Sequence, residues 1–383
     1  MEFACYSEWS ELPDSANALF SEAEKESIFF SRPWLQNPVS RSLEEGHTLL
    51  LACVVEDKQV LALLPLMKQE GGHLNSLRHL YTSLFTLLLA EDAQQEVLDC
   101  LVLGLSRLRV ASIKLDPIAE KDGKLLSLQQ TLGSAGFTCH RHFRFYNWIH
   151  RTRGQSFADY MAERPARVRS TVTRKKRKLE REQGYSIRLF TNDDWPQGLA
   201  DYNAVYKASW KAHELFDEFI TQLADTLSVH GWLRLAVLYI AGQPAAAQFW
   251  FVVCGKASIF KLHYDQDWKQ YSPGSILTSY LMEHVIDIDK VEEIDFLNGN
   301  DAYKQDWMSE RRVRWTLYCA RPRQTKGPLE RITDSVKVWA KQLIRFSGNS
   351  SRPQRVQASC LSATSIKFGR FRYDNQTRTK TPF

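Results

Sequence analysis

One stretch in the second half of the chain, residues 260–307, constrains the fold more than any other. A run of apolar and β-branched residues at 256–264 ends in a polar loop. Apolar residues spaced three and four apart follow at 276–288, which is the pattern of a helix. The chain returns as a second strand pattern at 293–297. The stretch therefore predicts a strand, a helix and a second strand that form one structural unit.

The predicted start of that helix has the features of a phosphate site. Ser272 can act as an N-cap, and Pro273 suits the first helical position because its missing N–H costs nothing there. Gly274 lets another group come close to the backbone. A helix start without bulky side chains offers unpaired N–H groups and the positive end of the helix dipole. We therefore expect residues 272–275 to attract a phosphate group.

The short motifs of this stretch resemble those of a known family. They are YD at 264–265, SPG at 272–274, DFLNG at 295–299 and YKQDW at 303–307. Over residues 205–318 the chain resembles the acetyltransferase domain of CelD/BcsL-type proteins, a branch of the GNAT superfamily related to the FemAB/FemX aminoacyltransferases. The resemblance implies that the helix start holds the pyrophosphate of acyl-CoA, and that the flanking strands splay apart to admit its pantetheine arm. The residues expected to bind acyl-CoA are Tyr264, Tyr271, Ser272, Pro273, Gly274 and Ser275.

The rest of the chain alternates between strand and helix patterns. Apolar runs at 48–55 and 59–68 predict a hairpin, strands are expected at 74–80 and 85–90, and a helix at 94–108. Such alternation predicts a mixed α/β (α+β) class with helices covering a sheet. With the resemblance, it predicts two tandem GNAT-like halves, each a twisted mixed sheet flanked by helices. The expected divisions are a degenerate GNAT-like half at 1–150, a basic helix and strand at 151–190, the acetyltransferase-like half at 191–322, an amphipathic basic helix at 323–346 and a disordered basic tail at 347–383.

Composition limits the class of protein. No apolar run reaches the roughly 18 residues that span a bilayer, and Glu2 and Glu8 stand where a secretory signal would have basic and apolar residues. We therefore expect a cytoplasmic protein. The seven cysteines are scattered without a zinc-type spacing, so we expect reduced thiols and no metal site. The net charge of +6 comes from residues 321–383, which hold 14 Lys and Arg against 3 Asp and Glu.

Residues 163–182 form a basic segment with nine Lys and Arg and three Glu. Pro165 and Gly184 bound the segment, so we predict one helix. Three interpretations stay open: a solvated helix face, a patch that accepts the phosphates of CoA or of a polyanionic acceptor, and a nucleic-acid contact. Proteins that bind single strands usually interleave aromatic residues, which this segment lacks. The resemblance nevertheless leaves RNA binding by this segment as an open interpretation, because FemAB-type enzymes use tRNA-borne substrates.

Acyl transfer from a thioester needs a route for the acceptor's proton and a donor to the developing oxyanion. His263 suits a base because imidazole ordinarily titrates near neutral pH. Lys304 matches the lysine of the family's YK motif, which implies contact with substrate charge; a plain surface lysine at a turn is the other interpretation. Asp295 is expected to orient Lys304 or Tyr264. The catalytic candidates are Lys304, Tyr303, His263 and Asp295.

A second set of residues is expected to face the substrate. Trp210 and Lys211 match the family's SWK motif, although core packing is the alternative for Trp210. Gln248 is the one polar side chain inside the strand pattern at 244–253, where it could bind substrate or make a structural hydrogen bond. The substrate-binding candidates are Trp210, Lys211, Gln248, Asp265, Asp301 and Trp307.

Together these features predict an acyl-CoA-dependent N- or O-acyltransferase that acts directly on an amine or hydroxyl. Acetyl-CoA or another acyl-CoA would be the co-substrate, with no tightly bound cofactor. The resemblance suggests a small-molecule, cell-envelope or exopolysaccharide precursor as the acceptor. The alternatives are a FemX-like aminoacyltransferase that draws on charged tRNA and a non-catalytic interaction protein. The amphipathic basic pattern at 328–346 could dock on the body or lie on an anionic membrane surface.

Overall fold

A computed structural model describes residues 1–37, 46–91, 93–209 and 217–322. These residues belong to one unit of the chain, Met1–Val336. Some predictions concern parts of the chain outside the described residues. They are those for Trp210, Lys211, residues 323–346 and residues 347–383.

The strands of the described residues pair into one mixed sheet. They are β1 (Glu2–Tyr6), β2 (Thr48–Glu56), β3 (Gln59–Gln69), β4 (His73–Ser76), β5 (Leu88–Leu89), β6 (Ser112–Ala119), β7 (Thr138–Arg151), β8 (Tyr185–Phe190), β9 (Leu233–Ile240), β10 (Gln243–Val253), β11 (Lys256–Tyr264), β12 (Glu293–Asn298) and β13 (Glu310–Ala320). The α-helices that flank the sheet are α1 (Ala16–Glu26), α2 (Arg32–Gln36), α3 (Gln95–Arg107), α4 (Gly123–Ser134), α5 (Phe157–Glu163), α6 (Ala166–Glu182), α7 (Trp195–Ala208), α8 (Asp217–Val229), α9 (Pro273–Glu283) and α10 (Ala302–Trp307).

Two-residue turns set the register of the antiparallel strands. Asp57 and Lys58 join β2 to β3, and both have positive φ. The same conformation recurs at Ala241 and Gly242 between β9 and β10. Turns with two positive φ values match the right-handed twist of the strands that they connect, so they hold a hairpin in one register. The predicted hairpin at 48–68 is confirmed, and an equivalent hairpin lies in the second half.

The two halves exchange their closing strands. Across the sheet the order is β1-β2-β3-β4-β6-β13-β7-β12-β11-β10-β9-β8, with β5 pairing with β3. Strand β4 runs parallel to β6 in the first half, just as β11 runs parallel to β12 in the second. Strand β13 then inserts between β6 and β7, while β7 pairs with β12. The mixed α/β class is confirmed, but the two expected sheets are joined into one. The division at residue 150 stays a prediction, and it falls within β7.

The strands predicted at 74–80 and 85–90 are shorter than expected. Strand β4 ends at Ser76, whose hydroxyl donates to Asp116 O at 2.7 Å and accepts from Asp116 N at 3.1 Å. A side chain therefore replaces the next rung of the backbone ladder between β4 and β6. Further along, Phe85 N donates to Pro117 O at 2.7 Å. Single hydrogen bonds to Asp116 and Pro117, and not a strand ladder, therefore hold the two ends of the segment at 76–85.

The prediction that all cysteines are reduced is wrong for one pair. Cys139 of β7 and Cys319 of β13 are register partners with Cα atoms 4.1 Å apart, and they form a disulfide. The two residues are 180 positions apart in the sequence. Their pairing follows from the strand exchange, which places the end of the second half beside β7. Cysteine spacing alone could not show this contact.

Apolar side chains cover both faces of the second half of the sheet. On one face, Phe249 and Phe251 of β10 pack with α7, α8 and residues of the first half, including Trp34. On the other face, Trp250 of β10 and Ile259 of β11 pack against α6 and α9. The strand alternation thus assigns α7 and α8 to one face and α6 and α9 to the opposite face.

His150 of β7 is a buried titratable group at the junction with α5. Its Nε2 lies 2.6 Å from Gln155 Nε2, and its Nδ1 lies 2.7 Å from Ser309 Oγ. An amide nitrogen can only donate, so the imidazole accepts at Nε2 and is neutral. Burial, followed by the charges of Arg164 and Arg153, lowers the pKa of His150 to about 4.

This pKa predicts an acid-sensitive fold. Between the ordinary histidine value of 6.5 and about 4, the unfolded state binds more protons than the folded state. Stability therefore falls as the pH drops through that window. We expect His150 to contribute a loss of about 2 kcal/mol between pH 7 and pH 4.5, measured by urea denaturation. His150→Asn should flatten the dependence, whereas His140→Asn, at an exposed position of the same strand, should not. Equal slopes for the two variants would contradict the assignment.

Candidate active site

Strands β11 and β12 form a fork. They pair in parallel from Lys256 with Glu293 to Ser258 with Asp295. Past Ser258 and Asp295, no further pairing between the two strands occurs in the described residues, although β11 continues to Tyr264 and β12 to Asn298. The separation of strands that the resemblance implies is therefore present.

Helix α9 begins beside the end of β11. Pro273 is its first residue and is buried, whereas Ser272, Gly274 and Ser275 are partly exposed. A Cβ atom on Gly274 would lie 3.2 Å from Cδ1 of Tyr264, the last residue of β11. The glycine therefore allows the helix start and the strand end to approach closely. The predicted start of the helix at Pro273, with Ser272 at the N-cap position, is confirmed, and the α-helix ends at Glu283, where a π-helical turn, His284–Ile288, follows.

The predicted capping by the Ser272 side chain is wrong. Ser272 occupies the N-cap position, but its backbone is left-handed, with φ 51° and ψ 51°, and its side chain makes no capping hydrogen bond. Its carbonyl accepts from Ser275 N at 3.0 Å and from Ile276 N at 3.2 Å. Ser272 is also the residue that ends the preceding 3₁₀ turn, Gln266–Tyr271. Gly274 is thus the residue whose N–H lies at the exposed end of the helix, because Pro273 has none.

Gln248 fixes the position of this helix start. It is 1% exposed, and its Nε2 donates to Gly274 O at 2.9 Å and to Thr278 Oγ1 at 2.7 Å. Its Oε1 accepts from Trp250 Nε1 at 2.9 Å. The amide is therefore used for structural hydrogen bonds, the second of the two interpretations left open by the sequence. Gln248 holds the first turn of α9 to the centre of the sheet.

Gln248→Leu should destabilise the fold by about 2 kcal/mol, because Trp250 Nε1 would be left buried without an acceptor. Thermal or urea denaturation of the ligand-free chain measures the effect. Gln243→Leu is the matched control, since Gln243 lies on the same strand and is exposed. A Gln248 variant as stable as the control would contradict the anchoring role.

The basic helix lies beside the α9 start. The predicted helix is confirmed as α6, and Lys175 Nζ donates to Gln270 O at 2.5 Å. Lys178 Nζ lies 5.1 Å from the centre of the Tyr271 ring. Tyr271 itself is buried, and its hydroxyl donates to Glu182 Oε2 at 3.2 Å. Tyr271 therefore joins α6 to the turn before α9 and is not exposed to a ligand. The contact brings two lysines close to the predicted phosphate site.

Lys304 is buried, in contrast to a plain surface lysine. It is 5% exposed, and its Nζ donates to Phe296 O at 3.0 Å and to Asn298 O. Asp301 Oδ2 lies 3.8 Å from the same nitrogen. The ammonium group thus holds the end of β12, where that strand has left its partner β11. Its contacts indicate an anchor for this edge of the fork.

The neighbours of Lys304 on α10 differ in exposure. Tyr303 is 41% exposed, and its ring packs edge-on against Phe296 at 5.6 Å between ring centres. Trp307 is buried, and its carbonyl accepts from Tyr160 Oη at 2.6 Å. Asp301 is the exposed N-cap residue of α10. Of this group, Tyr303 and Asp301 lie at the surface, whereas Trp307 belongs to the core.

His263 and Asp265 do not lie together at an open cleft. His263 is fully buried, with its ring 4.3 Å from that of Tyr202 and 5.0 Å from that of Tyr206. Its Nε2 lies 3.1 Å from Tyr202 O. Asp265 begins the 3₁₀ turn, and its carboxylate accepts from Asp267 N at 3.0 Å. The packing of His263 against α7 separates it from the α9 face of the fork.

Asp295 neither orients Lys304 nor contacts Tyr264, so that prediction is wrong. Its Oδ1 accepts from Asn147 Nδ2 at 2.5 Å and from Leu297 N at 2.6 Å. Its Oδ2 accepts from Arg312 Nη2 at 2.8 Å. The strand exchange explains these partners, because it places β7 beside β12 and next to β13. Asp295 therefore stands in a buried polar cluster at the junction of the two halves.

Sequence reasoning missed the basic members of this cluster. Arg312 donates to Glu293 Oε1 at 2.9 Å, and Arg314 Nη2 donates to Asn147 Oδ1 at 3.2 Å. The available signal was the alternation of Arg312 and Arg314 in a strand pattern, which places both on one face. Their partners come from two other strands, so the pattern alone could not identify the site. In the described part of the chain, no three His, Cys, Asp or Glu side chains converge to hold a metal ion.

Comparison with known proteins bears on this geometry. A family model described as an acetyltransferase (GNAT) domain matches residues 166–305. The matched range begins with α6 and ends within α10, so it includes the fork and the α9 start. No curated protein sequence matches the chain. Among the described residues, no helix is long and apolar enough to cross a membrane.

Several solved structures share the fold over most of the chain. A crystal structure of FemX has a TM-score of 0.59 at 11% identity, covering 83% of this chain and 97% of its own. The C-terminal domain of a putative lysylphosphatidylglycerol synthetase from Agrobacterium fabrum has a TM-score of 0.53 at 11% identity, covering 89% and 98%. The structure of L-PGS from Bacillus licheniformis has a TM-score of 0.51 at 13% identity, covering 89% and 99%. At these identities the likeness concerns the fold alone.

Proposed function

We propose that this chain is a GNAT-type acyltransferase that takes an acyl group from acyl-CoA and passes it directly to an amine or hydroxyl. The observation that carries the proposal is the junction of the α9 start with the β11–β12 fork. Gly274 presents a helix N-terminus beside Tyr264 at the end of β11, and the pairing of that strand with β12 stops earlier, at Ser258. The family model for an acetyltransferase domain covers the same residues.

The residues at this junction fit an acyl-CoA. The exposed turn at Ser272, Gly274 and Ser275 suits the pyrophosphate, because a helix start combines N–H donors with the positive end of a dipole. Lys175 and Lys178 add positive charge at the same end of the helix. The edge of β11 beyond Ser258, with which β12 does not pair, offers backbone groups to an extended arm. Tyr264, the last residue of β11, lies next to Gly274.

The proposed reaction needs few protein groups. The acceptor's nitrogen or oxygen forms a bond to the acyl carbon, the bond from that carbon to sulfur breaks, and the acceptor's proton is lost while the CoA sulfur leaves as a thiol. Donors placed where the oxyanion develops lower the barrier most. The N–H groups of β11 beyond Ser258 are the candidates, because β12 does not pair with them. Tyr303, which is 41% exposed on α10, is a candidate for contact with the acceptor.

The acceptor that we propose follows from the resemblance to CelD/BcsL-type proteins. It is a small-molecule, cell-envelope or exopolysaccharide precursor with a free amine or hydroxyl. The cysteine and charge patterns do not help to identify the acceptor. The resemblance assigns Trp210 and Lys211 to the cleft, but both lie outside the described residues.

A second candidate function is transfer from an aminoacyl-tRNA. The exposed residues Arg174, Lys176 and Arg177 of α6 favour it, because they continue the positive surface next to the α9 start. The fold shared with FemX is compatible with this candidate. Phosphate contacts of this kind give affinity that falls steeply with salt concentration.

Thermal denaturation of the full chain separates the candidates. Acetyl-CoA at about 100 times its dissociation constant should add about 2.7 kcal/mol of stability, which corresponds to a rise of about 3 °C in Tm for a chain of this size. Stabilisation by tRNA at low salt, without any effect of acetyl-, propionyl- or succinyl-CoA, would favour the second candidate. The absence of any response to either class would contradict both.

A further inference from the structure

A small cavity opens at the base of the fork, on the face opposite to α9. It has a volume of about 160 Å³ and is lined by both halves of the chain. Ser258 and Asp295, the last paired residues of the fork, lie in its wall. Residues 26–29 and Ser83 of the first half close the other side. We call this space the fork cavity.

Arg314 is a buried cation in the wall of the fork cavity. It is 5% exposed, and among the described residues its Nε has no hydrogen-bond partner. Its Nη2 donates to the neutral Asn147 at 3.2 Å. No carboxylate of the described chain lies within 4 Å of the guanidinium, in contrast to Arg312, which contacts both Glu293 and Asp295. A buried charge without a counter-charge is costly for a protein to keep.

The cavity wall holds as many negative as positive charges, with three carboxylates (Glu26, Glu293 and Asp295) and three cations (Lys256, Arg312 and Arg314), but they are paired unevenly. Glu293 and Asp295 also line the wall, but Arg312 bridges them at 2.9 and 2.8 Å. Lys256 lines the same space, and its ammonium donates to the backbone carbonyl of Glu26. The Glu26 carboxylate is turned to Lys124, 2.6 Å away. Among the described residues, Arg314 and Lys256 are therefore the cations of the wall that form no ion pair with a carboxylate.

Arg314 keeps its proton in spite of this environment. Burial, followed by the charge of Arg312, lowers its pKa to about 10, while Asp295 and Glu293 act in the opposite direction. At neutral pH the guanidinium is therefore charged and retains an unused N–H donor. A planar anion in the cavity would pair with the guanidinium, whose geometry carboxylates match especially well.

We infer that the fork cavity binds a carboxylate through Arg314, and that this carboxylate is the acid group of the acyl acceptor. The volume suits a carboxylate on a short carbon chain, since a water molecule in the liquid takes up about 30 Å³. A monoanion fits the site better than a dianion, because Glu293 and Asp295 stand in the same wall. The assignment of the carboxylate to the acyl acceptor rests on the proposed function. An acceptor held on this face would meet an acyl donor that enters the fork from the α9 face.

Binding is tested separately from activity, by NMR spectroscopy of the full chain labelled with ¹⁵N-arginine. Propionate should shift the Arg314 Nε–H resonance, and propionamide, which has the same shape without the charge, should not. Arg314→Lys identifies the resonance and should remove the response, while Arg311→Lys is the control because Arg311 stacks on Tyr146, 4.2 Å away, and does not line the cavity. Ser258→Val should narrow the cavity and weaken the propionate shift with Arg314 intact. Equal shifts with propionamide, no shift, or a response to inorganic phosphate alone would overturn the carboxylate site.

The acceptor role is tested by release of free thiol from acetyl-CoA. Glycine, β-alanine and 4-aminobutyrate are compared with ethanolamine, 3-aminopropanol and 4-aminobutanol. At least one amino acid should react about tenfold faster than its amino alcohol, as expected when a site's charged group would otherwise stay unpaired, and Ser258→Val should remove the preference. Equal rates, or no rate with any amino acid while propionate still shifts Arg314, would overturn the acceptor role and leave the anion site standing. Failure of acetyl-CoA to bind would instead overturn the proposed function, whatever the propionate result.

Discussion

Gly274→Asp should abolish the thermal stabilisation that acetyl-CoA gives to the unmodified chain. The substitution places a carboxylate at the exposed first turn of α9, beside the one N–H that the helix start presents after Pro273. A carboxylate there would occupy the positive end of the helix and repel a pyrophosphate. We expect the affinity for acetyl-CoA to fall by about 100-fold, or about 2.7 kcal/mol, measured by isothermal titration.

Gly274→Asn is the matched control, because it has the same shape without the charge. Either side chain must accommodate Tyr264, since a Cβ atom would lie 3.2 Å from Tyr264 Cδ1. The steric cost is therefore common to both variants, and the difference between them reports the electrostatic effect. The carboxylate itself is stabilising at a helix N-terminus, so Gly274→Asp should not melt lower than Gly274→Asn without ligand. Equal acetyl-CoA affinities for the two variants would show that the pyrophosphate binds elsewhere.

The sequence predicted the secondary structure of the second half well because local chemistry determines it. The hairpin strands β9 and β10 carry long apolar runs, and the turn at Ala241 and Gly242 adopts the two positive φ values that close such a pair. Pro273 begins α9 as expected, since its missing N–H suits the first position. These features depend on residues that are close together in the chain.

The site was harder to predict because its contacts join distant parts of the chain. Asp295 meets Asn147, which is 148 residues away, and Arg312 of a third strand. Both contacts require the exchange of β7 and β13, which no periodicity in the sequence indicates. The same exchange pairs Cys139 with Cys319. Strand alternation could not show which other strands would lie beside Asp295.

Burial also separates residues that a motif groups together. Tyr303, Lys304 and Trp307 belong to one short motif, yet the first is 41% exposed and the other two are 5% exposed. A six-residue helix turns each of them toward a different neighbour. The resemblance suggested a substrate contact for Lys304, whereas the structure gives its ammonium group backbone partners. The contribution of this motif to function therefore depends on the part of the fold that the buried Lys304 stabilises.

Lys304→Met should lower the free energy of unfolding by about 3 kcal/mol, a larger effect than the sequence alone suggested for this lysine. The carbonyls of Phe296 and Asn298 would lose a charged donor at the point where β12 has no pairing with β11. Methionine keeps most of the side-chain volume, so lost packing contributes little. Urea denaturation of the ligand-free chain measures the effect, with Lys176→Met, at an exposed position of α6, as the control.

The same variant distinguishes anchoring from direct contact with the substrate. If Lys304 holds the edge of the fork, the variant should melt at a lower temperature without ligand, and saturating acetyl-CoA should restore part of the lost stability by binding the folded state. Turnover should then recover at low temperature, where the fork stays intact. If the variant instead unfolds like the parent chain but loses turnover at every temperature, the ammonium group acts on the reacting atoms, as the YK resemblance implies. The position of Nζ between two backbone carbonyls favours the first result, because a donor already engaged by the protein has less to offer a substrate.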